Sequence, residues 1–454
     1  MYKKVLVIAM LWLQGLSAYQ SGTIIATIPG FSRPLTLAIT PNGEFVYVLS
    51  AGTNSANVIS TATNTVISTP GLNNIFNVPQ SIGITPDGQY AYCASAGNGS
   101  VVVIQTSNNT VASAPALSGT FMYPEALAIT PNGLFCYVAC SGNSTVRVID
   151  LTQPPSSNTI LTTPGLDSGF AAPDFIAITP NGQYAYVTNL FAFNLTVINT
   201  ASNTITATPG LSSPIMYEQE GMTPSEIFLY DYYGVEEVFF PQSITITPNG
   251  LYGYVANGLS SNTVVVIDIA TNEFLSTPGL TGTFNGPVSI AFTADSRYGF
   301  VTNAIGGTVS VIDTVSNRII GTIPGFSKPQ TIEITPDGQF AYVANAGNNT
   351  VSVIFIGVQP PLNFKACKTK NVFLLQTDNI NSLTWAAPAG GNTPVAYAIY
   401  RDATLTQLVA IVPASQTWYY DHNRNPSIDY PYYIVTIDAA GNTSMPEVMI
   451  AQCC

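Results

Sequence analysis

Few residues in this chain are suited to chemistry, and they are unevenly placed. The stretch "SPIMYEQEGMTPSEIFLYDYYGVEEVFF" (213–240) holds Glu218, Glu220, Glu226, Asp231, Glu236 and Glu237, a quarter of the 24 acidic residues, and no base. It also holds seven aromatics, including Tyr217, Tyr230, Tyr232 and Tyr233. Clustered acids could activate water, hold a cation such as Ca²⁺, or meet a partner, and tyrosine combines contact area with a polar tip. Three more carboxylates, Asp150, Asp268 and Asp313, end the recurring tripeptide "VID". Their recurrence at one place in a repeated phrase reads as a turn device, with Asp bonding the backbone that follows it. The single histidine, His422 in "YYDHNRNP", reads as a turn residue beside Asp421 and Arg424. Residues before it therefore offer no Ser-His-Asp triad and no histidine metal ligand. No glycine-rich phosphate loop or haem-attachment cysteine pair occurs either. The expectation is no catalytic residue, no metal and no cofactor.

What positions these residues is a phrase written seven times: "ITPNGEFVYV" (39–48) and its copies at 84–93, 129–138, 178–187, 246–255, 292–301 and 334–343. Its threonines are spaced 45, 45, 49, 68, 46 and 42 residues apart. A period near 45 is that of a four-stranded propeller blade. In the second copy the strands read as 79–85, 89–94, 101–106 and 110–115, with Pro and Gly shaping the first turn. The second strands are apolar on both sides, with Phe45 and Tyr47 facing one way and Val46 and Val48 the other. Such a strand is sandwiched between neighbours. Small residues at its centre (Ala91, Ala185, Gly253, Gly299, Ala341) leave room for a large ring, expected from the next blade. The outer-strand phrase appears once too early, at 22–31, and the last blade lacks it. Residues 23–28 should therefore pair beside 350–355 and close the ring, which removes exposed sheet edges.

"YVTN" (186–189), "FVTN" (300–303) and "YVAN" (254–257, 342–345), with "TPDG" and "NTVSVID"-like strands, resemble the YVTN family of seven-bladed β-propellers, related to surface-layer propellers. The resemblance covers 22–356 and implies an all-β fold; it leaves function open, because propellers host many. "GVQPP" (357–361) reads as a stiff linker. Beyond it, 362–454 resembles a fibronectin type III-like β-sandwich, with Trp385 as core tryptophan and Tyr430 at the tyrosine corner. That module implies spacing or adhesion.

At the N-terminus, Lys3 and Lys4 precede "VLVIAMLWL" and "QGLSAYQ". This reads as a secretory signal over 1–18, too short to span a bilayer comfortably. The expectation is a secreted, periplasmic or cell-surface protein with no membrane span after cleavage. Export permits disulfides, and Cys367 with Cys453 is one possible pair, Cys454 the other. Cys136 and Cys140 lie on one strand, too far apart to bond. A formal charge of −12 argues against a nucleic-acid partner.

The 68-residue gap places the acidic stretch between two blades, with a helix expected over 224–232 from the Thr-Pro-Ser-Glu start. Connections from outer to inner strands lie on the face where propellers commonly bind. Neighbouring connections add Phe76, Met122, Tyr123, Phe170 and Phe284. The candidate binding surface is thus Tyr217, Glu218, Glu220, Glu226, Tyr230, Asp231, Tyr232, Tyr233, Tyr123 and Phe170, meeting a protein or glycan without catalysis. The alternatives are an enzyme of the lactonase or lyase type using acids at the channel mouth, and a surface-layer protein whose task is lateral packing.

Overall fold

The computed structural model describes residues 22–67, 69–112, 114, 117–210, 241–258, 262–280, 284–357, 361–373, 376–388, 394–402, 405–438, 443–444 and 447–453. The leader at 1–18, the whole acidic stretch at 213–240 and the helix expected at 224–232 lie outside them. The chain divides into two compact units, one of them Ile24–Ile354 and the other carrying Phe355–Cys454.

The first unit is a β-propeller of seven four-stranded sheets. Blade 1 is Pro34–Ile39, Phe45–Ser50, Ser55–Ser60 and Thr65–Ile67. Blades 2 to 6 open with Pro79–Ile84, Pro124–Ile129, Pro173–Ile178, Pro241–Ile246 and Pro287–Phe292. Blade 7 supplies Pro329–Ile334, Phe340–Asn345 and Thr350–Phe355, and its outer strand is the N-terminal Thr23–Ile28. The early outer strand thus closes the ring. First strands pack against one another in chain order, and that of blade 7 meets that of blade 1.

The repeated phrase folds for local reasons. In "TPNG" the Thr40 hydroxyl accepts the Phe45 N–H at 3.0 Å, and the Gly43 N–H bonds the Thr40 carbonyl at 2.7 Å. Asn42 Oδ1 takes the Glu44 N–H at 3.1 Å, and Gly43 supplies a φ of +73° that side chains rarely adopt. The turn therefore satisfies its own backbone. The "VID" carboxylates do the same further along: Asp268 Oδ1 accepts the Ala270 and Thr271 amides at 2.8 and 3.0 Å, and Asp313 those of Val315 and Ser316 at 2.9 and 3.1 Å.

The second-strand tyrosine is the blade-to-blade bolt. Tyr47 is fully buried and packs on Ala91, Cys93 and Ile104 of blade 2. The ring over Ala91 thus comes from the preceding blade rather than the next one, while the space above Gly299 is filled by Phe292 of its own blade. Its hydroxyl reaches Asn109 Oδ1 at 2.5 Å, in the turn between the third and fourth strands of blade 2. The bond repeats as Tyr92–Asn158, Tyr137–Asn203, Tyr186–Asn272, Tyr254–Asn317 and Tyr342–Asn64, at 2.6 to 2.8 Å. Asn109, Asn203, Asn272, Asn317 and Asn64 all hold a left-handed φ near 50°, which Asn tolerates better than most residues. At the seventh position stands Phe300. Blade 7, which it faces, borrows its outer strand from the N-terminus and has no turn there to offer an asparagine.

The second unit has two four-stranded sheets. Gln376–Ala386 lies between Leu362–Phe373 and Trp418–Asp421; Pro394–Tyr400 lies between Leu408–Pro413 and Pro431–Asp438. Their inner faces share one core of Phe364, Leu383, Trp385, Tyr397, Ile399, Tyr432 and Ile434, so the unit is a β-sandwich. Trp385 meets Tyr397 edge-on, with centroids 5.3 Å apart. Cys367 is disulfide-bonded, and the strand Gln452–Cys453 runs parallel beside it. The side chains of Cys453 and Cys454 both lie outside the described residues.

Candidate functional site

Six of the seven first strands begin, among the described residues, with the same backbone device. A left-handed residue precedes the proline: Arg33, Val78, Tyr123, Ala172, Gly286 and Lys328 have φ between 46° and 70°. The residue after the proline is skipped in the pairing with the second strand, as between Pro124 and Ala126 or Pro173 and Phe175. Such a bulge bends the strand and re-aims one side chain. Here it does so at the end of the ring where outer strands connect to the next inner strand. The residues placed at this mouth are Leu35, Gln80, Glu125, Asp174, Gln242, Val288 and Gln330.

Two of them, on adjacent blades, are carboxylates. Glu125 accepts Gln80 Nε2 from blade 2 at 2.8 Å and the Ser141 hydroxyl at 3.0 Å. Burial pushes the Asp174 carboxyl up to about 7, and the nearby Glu125 charge adds to the effect. Glu333 sits further along the first strand of blade 7, where other blades carry Ala38, Gly83, Ala128, Ala177, Thr245 and Ala291. Its side chain stays accessible while the ring encloses it, as a lumen-lining group does, and that enclosure pushes its carboxyl up to about 7 as well.

The aromatic residues expected on this face divide. Tyr123 and Met122 are exposed, at 59% and 53%. Phe76 and Phe284 are core residues, each 5% exposed. Phe170 is partly buried against the cluster that holds Leu166, Ile176 and Ala185. These rings anchor their connections to the blades, as apolar residues in short loops must when the blade edge beside them is dry. Of the remaining expected surface, Tyr217, Glu218, Glu220, Glu226, Tyr230, Asp231, Tyr232 and Tyr233 lie outside the described residues. Their stretch leaves blade 4 after Gly210 and returns at Pro241, next to the mouth residue Gln242. The mouth carboxylates Glu125 and Asp174 were not among the expected residues, although aligning the seven copies at their proline exposes them.

His422 stands just after Trp418–Asp421 and pairs with Asp378, whose carboxyl it holds below the usual range. Asp421 is buried between Arg401, Arg424 at 3.4 Å and the Tyr432 hydroxyl at 2.5 Å. These charges are engaged with one another. Cys93, Cys136 and Cys140 are buried free thiols whose pKa burial raises, to about 11 for Cys140. Thiols so placed are inert.

With the geometry in place, the solved structures supply a comparison. The chain is similar to Kuenenia stuttgartiensis hydrazine synthase, with a TM-score of 0.54 and 18% identity, over 76% of this chain and 98% of that one. It is similar also to the β-propeller domain of Myceliophteria thermophila Cps50 (Swd1), with a TM-score of 0.56 and 12% identity, over 74% of this chain and all of that one. The likeness is one of fold. No protein-family model matches the sequence, and no curated protein does.

Proposed function

We propose that this is an exported, non-catalytic binding protein. In this reading a YVTN-like propeller meets a protein or glycan at its mouth, and a fibronectin type III-like module acts as spacer. One observation carries it. The polar residues of the repeat are largely spent on structure: tyrosine on asparagine, threonine and aspartate on their own turns. A further set of polar groups gathers at the mouth, where bulges aim Gln80, Glu125, Asp174, Gln242 and Gln330, the first two bonded to each other, on the face that also exposes Met122 and Tyr123. A polar rim with exposed aromatic and methionine side chains is the composition of a binding surface.

The sandwich supports the module. Its strand order, with the second strand between the first and fifth and the third between the fourth and sixth, supports the fibronectin type III-like reading. The Tyr430 hydroxyl accepts the Asn425 amide at 3.4 Å, a bond back to the upstream backbone of the kind a tyrosine corner makes. The leader implies export to the periplasm, surface or medium.

A catalytic reading rests on Asp174, since a carboxyl that burial raises to about 7, near a Glu125 that accepts bonds from Gln80 and Ser141, suits proton transfer. Capture of partners from an extracellular or envelope fraction tests the proposal, comparing wild type with E125Q/D174N, with M122S/Y123S and with deletion of 214–238. Loss of the same partners in the mouth variants supports it; retention in all three contradicts it.

A further inference from the structure

The mouth has a second pole. The propeller has five basic residues, Arg33, Arg147, Arg297, Arg318 and Lys328. Arg147 pairs with Asp167 at 3.1 Å and Arg297 with Asp313 at 2.7 Å. Arg33 and Lys328 form no ion pair among the described residues, and both are exposed. They occupy the same position in their blades, the left-handed residue before the first-strand proline. Because blade 7 meets blade 1 where the ring closes, these equivalent positions become neighbours. Together with Leu35, Gln330, Ala346 and Gly347 they line a cleft of about 400 Å³. No acid is among those lining residues.

The cleft is framed by one turn of blade 7. Asn349 Oδ1 accepts the Arg33 amide at 2.7 Å. The Ala346 amide bonds the Lys328 carbonyl at 3.2 Å, and the Gly347 amide bonds the Ser327 carbonyl at 2.9 Å. Both bases are thus tied by their backbones to Ala346–Asn349, with their left-handed φ of 51° and 46° setting where the side chains leave the chain. Elsewhere in the ring this position carries Val78, Tyr123, Ala172 or Gly286, none of them charged.

We infer that the cleft at the seam between blades 7 and 1 is a subsite for a doubly charged oxyanion, a phosphate monoester group carried by the mouth's ligand. Two cations in one cleft repel each other, and a dianion relieves both charges at once where a monoanion relieves one. Arginine supplies a planar fork of donors and lysine a point charge, the pair of geometries that a tetrahedral oxyanion accepts. The seam lies half a circuit from Glu125 and Asp174, so the mouth is acidic on one side and basic on the other. The inference rests on the mouth being the binding face and names the chemistry it takes there.

The test is calorimetric titration of the full chain with sodium sulfate, inorganic phosphate and sodium acetate at pH 7.5. The expected result is sulfate and phosphate binding with Kd of about 0.1–10 mM, and acetate at least about tenfold weaker. Affinity should fall as sodium chloride is raised. The R33Q/K328Q variant should lose this binding while melting as wild type does, and R33K should keep part of it. Repeating the titration at pH 6, where phosphate gains a proton, tests the preference for a dianion: phosphate binding should weaken while sulfate binding stays level. Unchanged binding in R33Q/K328Q, or equal affinity for acetate, overturns the inference. E125Q/D174N should bind sulfate normally, so failure at the seam and failure of the mouth as a partner surface give different results.

Discussion

The phenol of Tyr342 donates to Asn64 Oδ1 at 2.6 Å across 278 residues of chain. It is the bond by which the last blade bolts onto the first. Replacing Tyr342 with Phe removes the donor and leaves a half-buried acceptor. The cost should be about 1 kcal/mol, read as a fall of roughly 1–3 °C in Tm. Phe300 makes the opposite forecast. A tyrosine there would place its hydroxyl toward a blade that has no asparagine turn, so F300Y should destabilise by about 1–3 kcal/mol. Differential scanning calorimetry on both variants checks the pair. A stabilised F300Y would show that the phenylalanine is not tuned to the closure.

Ring closure itself is open to truncation. Thr23–Ile28 is the outer strand of blade 7 and buries Ile28 with Phe31 among residues of blades 7 and 1. Deleting 22–30 exposes the edge of Thr350–Phe355 and opens the ring. The expected outcome is loss of the propeller's cooperative melt, with aggregation through the bared edge. An unchanged Tm would contradict this closure.

The buried carboxyls give a pH dependence with a definite sign. The Asp174 group moves from an ordinary 3.8 to about 7 on folding. A raised acid binds its proton more tightly in the native state, so its contribution to stability is highest below the lower value. Stability should fall as pH rises between these two values and level off above the higher one. D174N should remove the Asp174 share of this slope, leaving that of Glu333, and exceed wild type at pH 8 by about 1–2 kcal/mol, after allowance for partial solvation. Urea melts of both proteins at pH 4, 6 and 8 measure it. A wild type that gains stability across this window would contradict the burial of Asp174.

Cys93, Cys136 and Cys140 are sealed in the blade cores. A thiol reagent should leave them unmodified in native protein and react with all of them in denaturant. Fast native labelling would mean the blades open locally far more often than their packing implies.

Much of the fold could be read because the repeat writes its reasons locally. Thr40, Pro41, Asn42 and Gly43 encode their own turn, and the early copy at 22–31 reveals the closure without any long-range information. The direction of the Tyr47 packing could not be read, since alternation tells which residues share a face and not which neighbour that face meets. Phe76 and Phe284 looked like surface rings because they sit in connections, where only the structure shows the dry edge they cover. Glu125 and Asp174 were legible in principle: after the first-strand proline the seven copies read Leu, Gln, Glu, Asp, Gln, Val, Gln. That column draws no attention until the bulge shows that it faces the mouth.

The central claim is that the mouth face is the binding surface. The most direct measurement is partner binding by surface plasmon resonance, with captured partner on the chip and wild type, E125Q/D174N and M122S/Y123S in solution. The mouth variants should bind at least about tenfold more weakly than wild type, with their melting profiles intact. Equal affinity for wild type and both variants would contradict the account and move the interface off the mouth.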